Sequence, residues 1–219
     1  MTGKPALSSH HFFDPQLLPL LDALPTVWLD IVSLAELRSN EARMLLPVEP
    51  KSVDPARIGV MGESAGGGLV AVLALPAPDR GAPALRFQLL TYPMLDDRTC
   101  IAPEHPFAGD FVWAPLNSHF GWQTLLGAEP GCPHVSPYVA VACAHCLSGL
   151  PQTYIATGAL DFFVDENLEF ARRLLAAGVP VDLNPYPGAF HGFDLMPAAD
   201  ISRRALADRL AALRRFIEV

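Results

Sequence analysis

Three residue types that together perform nucleophilic catalysis occur at separate places in the sequence. Ser64 stands at the centre of a Gly-x-Ser-x-Gly string, Asp161 lies in Gly-Ala-Leu-Asp, and His191 lies in Phe-His-Gly-Phe. A serine hydroxyl becomes a nucleophile when a histidine within hydrogen-bond reach takes its proton. That histidine in turn needs a carboxylate to hold its tautomer and stabilise the imidazolium. The three residues therefore predict acyl transfer through a serine.

The elements that must position these residues are short strands. Apolar runs predict strands over Arg57–Met61, Leu85–Tyr92, Gln152–Gly158 and Val181–Pro187. Ser64, Asp161 and His191 follow the first, third and fourth of them. Because the carboxyl ends of parallel strands meet at one edge of a sheet, we expect the three side chains to lie close together.

Helical patterns separate the strands. We predict helices over Ala65–Pro76, Trp113–Leu126, Asp165–Ala177, closed by Gly178, and Ile201–Ile217. Strands that alternate with helices imply an α/β protein with a parallel sheet flanked by helices on both faces.

Two stretches break the alternation and predict the domain organisation. Residues 14–25 and 33–45 read as short helices, so residues 1–50 form an N-terminal helical segment and residues 51–219 form the core. Residues 95–150 are rich in Pro, Gly, His and aromatic residues and are too long for a simple connection. We expect them to be an insertion over one end of the sheet.

The glycines beside Ser64 fit a sharp turn from strand to helix. We expect Gly62 and Gly66 to stand where a side chain would clash with neighbouring elements. A helix that starts at Ser64 also turns the backbone N–H of Ala65 towards a developing oxyanion.

Two of the candidates have alternative interpretations as structural residues. Asp161 could serve as a helix N-cap, in addition to or instead of a catalytic role. His191, which lies between two phenylalanines, could be a histidine packed in the core.

Composition excludes some partner classes. The chain has 219 residues, 51% of them hydrophobic, and a formal net charge of −8, which leaves no basic patch for nucleic acid or anionic membranes. No apolar run approaches the roughly 20 residues of a membrane span. These features predict a soluble cytoplasmic protein that binds an uncharged or apolar small molecule.

A cluster of cysteines and histidines allows metal binding as an alternative. It comprises Cys132, His134, Cys143, His145 and Cys146. Their spacing fits no common zinc module, and we interpret them as part of a variable loop with reduced thiols, not as a metal or redox site.

Several blocks resemble the hormone-sensitive-lipase-like esterases, bacterial family IV of the α/β-hydrolases. They are DPARIGVMGESAGGGL, FQLLTYPMLDDR, VSPY, LSGLPQTYIATGALDFFVDEN and ARRLLAAGVPVDLNPYPGAFHGF, together spanning residues 54–193. The chain order Ser, Asp, His is also that of α/β-hydrolases.

The resemblance implies an α/β-hydrolase fold and hydrolysis of carboxylic esters with short to medium acyl chains. It implies Ser64 as nucleophile, His191 as base and Asp161, not Asp165, as the triad acid. It implies no metal or organic cofactor. It also implies that the N-terminal helices and the insertion at 95–150 cap the site.

The chain departs from this family at the oxyanion hole. Members carry a His-Gly-Gly-Gly block upstream of the serine, whereas the only glycines before Gly62 here are Gly3 and Gly59. Relative to that family, we expect an internal block with the first strands, the first core helices and the oxyanion loop to be absent. Activity is therefore expected to be weak or restricted to activated esters.

The missing block also leaves the strand before Ser64 with an apolar edge. We expect TVWLDIV (residues 26–32), RMLLPV (residues 43–48) or a second subunit to cover it, and we predict a homodimer. The sequence as a whole predicts a carboxylesterase that acts through an acyl-enzyme. An amidase or peptidase on the same fold, or an impaired homologue that acts as a binding module, are the alternatives.

Overall fold

A parallel sheet organises the protein. The computed structural model describes residues 14–23, 54, 57–75 and 85–218. Its strands are β1 (Gly59–Glu63), β2 (Phe87–Thr91), β3 (Gln152–Gly158) and β4 (Val181–Tyr186), in the spatial order β1-β2-β3-β4 and all parallel. The predicted α/β class with a parallel sheet is confirmed.

Helices precede, connect and follow the strands. They are α1 (Leu18–Ala23), α2 (Ser64–Leu73), α3 (Pro115–Leu126), α4 (Val164–Ala176) and α5 (Asp200–Glu218). Short 3-10 turns cover Pro15–Leu17, Thr99–Ile101, Val141–Cys143 and Phe193–Leu195. After α4, Gly178 adopts a φ of 78°, the left-handed conformation expected of the residue that closes the helix.

Four of the predicted boundaries are wrong by two residues, namely both ends of β1 and the first residues of β2 and α3, and α2 ends three residues earlier than predicted. β1 runs to Glu63 rather than Met61, because Gly62 and Glu63 still pair with β2. α3 begins at Pro115 rather than Trp113, since proline is favoured in the first turn, where its missing N–H costs nothing. The helix predicted at 33–45, TVWLDIV and RMLLPV lie outside the described residues.

The two faces of the sheet are covered by different helices. α5 packs against one face, where Leu89, Tyr154 and Tyr186 belong to a single buried cluster. α2 and α4 pack against the other face, where Leu90 and Ile155 are fully buried. Adjacent residues such as Leu89 and Leu90 point to opposite sides, as the alternation of a strand requires. The strand ends are thereby held rigidly at one edge.

The long segment between β2 and β3 has a core of its own. Trp122 of α3 and Ala140 are buried in a cluster with Met94, which follows β2, and Phe163, which follows β3. The segment is therefore anchored to the strand ends that carry the candidate site. No helix in the described part of the chain is long and apolar enough to cross a membrane.

Candidate active site

Ser64 occupies a strained turn between β1 and α2. Its φ of 52° lies in the left-handed region, which non-glycine residues rarely adopt. The carbonyl oxygen of Ser64 accepts a hydrogen bond from the N–H of Met94 at 3.0 Å, which anchors the turn to the segment after β2. A Cβ on Gly62 would lie 2.4 Å from the carbonyl oxygen of Gly66, so the turn requires glycine at position 62.

The expectation for Gly66 is wrong within the described residues. Apart from its two chain neighbours and the backbone of its own helix, none of their atoms lies within 4 Å of a Cβ placed on Gly66. The close approaches fall on the next two residues instead: a Cβ on Gly67 would lie 2.8 Å from Cβ of Pro93, and one on Gly68 would lie 2.1 Å from the Met94 carbonyl oxygen. Glycine is needed there because α2 packs tightly on the segment after β2.

Ser64, His191 and Asp161 come together at the carboxyl edge of the sheet. Oγ of Ser64 lies 2.9 Å from Nε2 of His191. Nδ1 of His191 lies 3.0 Å from Oδ2 and 3.2 Å from Oδ1 of Asp161. With Nδ1 donating to the carboxylate, Nε2 is free to accept the serine proton, which is the arrangement a general base needs.

Asp161 is held without acting as the N-cap of α4. The carboxylate is completely buried, and its Oδ1 accepts the N–H of Phe163 at 2.9 Å. The helix begins at Val164, and its N-cap is Phe163, which makes no side-chain capping bond. The N-cap interpretation of Asp161 is therefore incorrect, and the bond from Phe163 fixes the carboxylate towards His191.

Aromatic rings surround His191. The ring centroids of Tyr92, Phe163 and Trp113 lie 4.7, 5.3 and 6.0 Å from the imidazole centroid. His191 is thus packed among aromatic side chains, as the alternative interpretation held, while it also forms hydrogen bonds with Ser64 and Asp161. The rings leave His191 6% exposed.

The N–H of Ala65 is available at the start of α2. Ala65 is exposed and is the second residue of the helix, where a backbone N–H has no acceptor within the helix. An oxyanion beside Ser64 is the kind of acceptor that such a group binds.

Sequence reasoning missed Tyr92 and Arg209. Tyr92 directly follows β2, so the rule that singled out the ends of the other strands could have found it. Its hydroxyl donates to Oδ1 of Asp194 at 2.5 Å. Burial, and then the nearby Asp194 carboxylate, raise the pKa of Tyr92 far above its ordinary value, so its hydroxyl keeps its proton. Arg209 of α5 lies 3.8 Å from the same Asp194 carboxylate. No motif or spacing in the sequence indicates this position.

The cysteine and histidine cluster does not form a metal site in the part of the chain that the structure describes. Over those residues, no three His, Cys, Asp or Glu side chains are grouped so that they could hold an ion. All four cysteines are free thiols, and Cys132 and Cys146 are exposed.

Known proteins are similar to this chain both in sequence and in structure. A family model described as the alpha/beta hydrolase fold matches residues 22–195. Carboxylesterase NlhH of Mycobacterium tuberculosis is 36% identical over 168 residues, 74% of this chain and 51% of that protein. Esterase LipI of the same organism is 32% identical over 153 residues, 67% of this chain and 47% of that protein.

Solved structures of esterases are also similar to this chain. A bacterial heroin esterase superposes with a TM-score of 0.68 and 41% identity, over 75% of this chain and 53% of its own. Esterase LipW of Mycobacterium marinum gives a TM-score of 0.66 and 36% identity, over 74% and 51%. The chain spans about half the length of the relatives that it matches.

Proposed function

We propose that this chain, which belongs to the alpha/beta hydrolase fold family, hydrolyses carboxylic esters through an acyl-enzyme on Ser64. The observation that carries the proposal is the continuous hydrogen-bond chain from Oγ of Ser64 through His191 to the buried Asp161. The similar carboxylesterase and heroin esterase support an ester as the substrate.

The geometry assigns each residue a step. Nε2 of His191 takes the proton of Ser64 as its Oγ attacks the carbonyl carbon, and the imidazolium that forms is stabilised by Asp161. The proton then passes to the leaving alcohol as the acyl-enzyme forms. A water molecule, deprotonated by the same nitrogen, hydrolyses the acyl-enzyme and restores the serine.

The oxyanion of each tetrahedral intermediate is bound by the N–H of Ala65 in this mechanism. The sequence lacks the glycine block that supplies further donors in the resembling esterases. Loss of one donor costs about 10²–10³ in turnover, so we expect slow turnover and a preference for activated esters with short to medium acyl chains.

The remaining features of the proposal concern the surroundings of the site. Residues 1–50 and the insertion at 95–150 are proposed to cap the core formed by the rest of residues 51–219. The contact between Trp113 and His191 supports this, because Trp113 belongs to the insertion.

A homodimer and a cytoplasmic location stay predictions. Within the described residues β1 pairs with β2 alone, and Met61, Leu69 and Leu73 beside it are 56, 62 and 59% exposed. An exposed apolar edge of this kind favours association with a second copy.

The test is turnover of p-nitrophenyl acetate and butyrate beside a Ser64→Ala control. We expect hydrolysis well above the control, with the acetate or butyrate ester preferred to longer chains. Rates equal to those of Ser64→Ala would refute the esterase proposal. Faster cleavage of matched amides than of esters would favour an amidase or peptidase, and the absence of both activities would favour a binding module.

A further inference from the structure

A second polar chain runs beside the triad at the same edge of the sheet. The hydroxyl of Tyr92 donates to Asp194, and Oδ2 of Asp194 lies 3.8 Å from Nη1 of Arg209. The same nitrogen of Arg209 lies 2.8 Å from Oε1 of Glu63, the residue before Ser64. The chain therefore links the end of β2, the segment after β4 and the end of β1.

We infer that Tyr92 is a positioning residue for His191, held in place by Asp194 and Arg209. The inference rests on the proposed function, because it concerns the same histidine acting as the general base. Tyr92 touches the imidazole with its ring, while its hydroxyl is bonded to Asp194, three residues after His191.

The backbone of Tyr92 shows that its position is imposed by its surroundings. Its φ is 37°, a left-handed value that is strained for a bulky side chain. Such strain persists only where neighbouring contacts over-determine the residue. Here the N–H of Tyr92 donates to the carbonyl oxygen of Ala156 in β3 at 2.6 Å, and the hydroxyl bond holds the other end of the side chain. The ring is fixed at both ends against His191.

Arg209 connects this ring to the nucleophile. Its side chain is 21% exposed, and that of Asp194 is 16% exposed, so solvent only partly screens their attraction. Because Arg209 also contacts Glu63, movement of the histidine segment relative to the turn at Ser64 would break one of the two ion pairs. The network therefore stabilises the distance between His191 and Ser64 on which proton transfer depends.

The test compares four single variants that each remove one polar group. Tyr92→Phe and Arg209→Met break the network. Tyr186→Phe is the matched control for the first, because the Tyr186 hydroxyl donates to Asp208 of α5 at 2.9 Å rather than to Asp194. Arg215→Met is the control for the second, because it removes an exposed ion pair from the same helix. Tm is measured for all of them.

The readout is kcat and KM for p-nitrophenyl butyrate. The value of kcat is expressed per Ser64 that a fluorophosphonate labels. We expect kcat of Tyr92→Phe and Arg209→Met to fall by roughly 10- to 100-fold with KM unchanged, as for a misplacement of about 1 Å. The controls keep the wild-type kcat, and Arg209→Lys restores part of the loss. The kcat of the double variant, Tyr92→Phe with Arg209→Met, falls no further than that of the worse single variant, because both residues act through one network.

The inference is overturned if Tyr92→Phe and Arg209→Met keep the wild-type kcat per titrated serine, or if the controls lose as much. It is also overturned if the two effects multiply in the double variant. Losses that follow Tm in all four proteins would mean a structural role only.

A measurement independent of turnover separates this inference from the proposed function. If the wild type is no faster than Ser64→Ala, the esterase proposal fails, and the Hε1 resonance of His191 then decides the positioning role. Assigned with His191→Gln, this resonance should be single in the wild type and in Tyr186→Phe. It should shift and broaden in Tyr92→Phe and Arg209→Met, and an unchanged signal would overturn the inference.

Discussion

Replacement of Asp161 by asparagine tests the role of the buried carboxylate. Asparagine has the same shape, and its carbonyl oxygen can still accept the N–H of Phe163, now 2.9 Å from Oδ1. Its amide group would then face Nδ1 of His191, at the position where Oδ2 now lies at 3.0 Å. A donor there requires Nδ1 to become the acceptor, so the ring proton moves to Nε2. The nitrogen that should accept the proton of Ser64 is then blocked.

The expected loss is large because the wrong tautomer disables every turnover. A change of this kind in a Ser-His-Asp triad lowers kcat by about 10⁴-fold. At about 1.36 kcal/mol for each factor of ten, that is about 5.4 kcal/mol of activation free energy. KM should change little, since no contact with the substrate is altered. Asp161 is completely buried and His191 nearly so, so solvent cannot offer the imidazole a replacement partner.

Asp165→Asn is the matched control for this prediction. Asp165 is an exposed carboxylate in the first turn of α4, four residues from Asp161. Its replacement removes a favourable interaction with the helix dipole, about 0.3–1 kcal/mol of stability, and should leave kcat unchanged. Steady-state hydrolysis of p-nitrophenyl butyrate by both variants, with Tm measured alongside, decides the matter. The reasoning is refuted if Asp161→Asn retains a tenth or more of the wild-type kcat, or if Asp165→Asn loses as much.

Three further predictions concern stability and assembly. Burial raises the pKa of Glu166 in the folded protein well above its ordinary value. At pH values between the unfolded and the folded pKa, the unfolded chain therefore binds fewer protons than the folded one. Stability falls as pH rises through this range. Glu166→Gln removes this dependence. The Tm of the variant minus the Tm of the wild type should therefore increase as the pH rises, and a difference that stays constant with pH would contradict the prediction. Gly68→Ala should destabilise the protein by about 1–3 kcal/mol, because its Cβ meets the Met94 carbonyl oxygen at 2.1 Å. Gly66→Ala should be neutral or stabilising by up to about 1 kcal/mol. The free energy of unfolding of both variants is measured with a denaturant, and an equal loss in the two would contradict the packing of Gly68 against Met94. Met61→Arg should convert the predicted homodimer to monomer in analytical ultracentrifugation, and a wild type that sediments as a monomer at every concentration would remove the basis of the dimer.

The sheet could be predicted from sequence where apolar runs have sharp ends. β3 runs from Gln152 to Gly158 as predicted, since Pro151 precedes it and glycine closes it. β1 ends two residues beyond its predicted end because Gly62 and Glu63 carry no apolar signal and are held in the strand by pairing with β2. Such pairing is a tertiary contact that periodicity within one segment does not contain.

The grouping of Ser64, His191 and Asp161 could be predicted because these residues follow the strand ends and because chemistry restricts their types. The shell around it could not. Trp113 reaches His191 from the long segment between β2 and β3, and Arg209 reaches Asp194 from the last helix. Nothing in the local sequence of either residue indicates which strand end it meets. The steric role given to Gly66 belongs to Gly67 and Gly68, because the spacing of glycines does not say which side of α2 faces its neighbour.

The most direct test of the central claim is the site and rate of covalent labelling by a fluorophosphonate. Peptide mapping of the labelled wild type should place the adduct on Ser64, and Ser64→Ala should carry none. His191→Gln should label far more slowly, because the hydroxyl then lacks the base that lies 2.9 Å away. An adduct on another residue, no adduct at all, or equal labelling rates with and without His191 would contradict the assignment of Ser64 as an activated nucleophile.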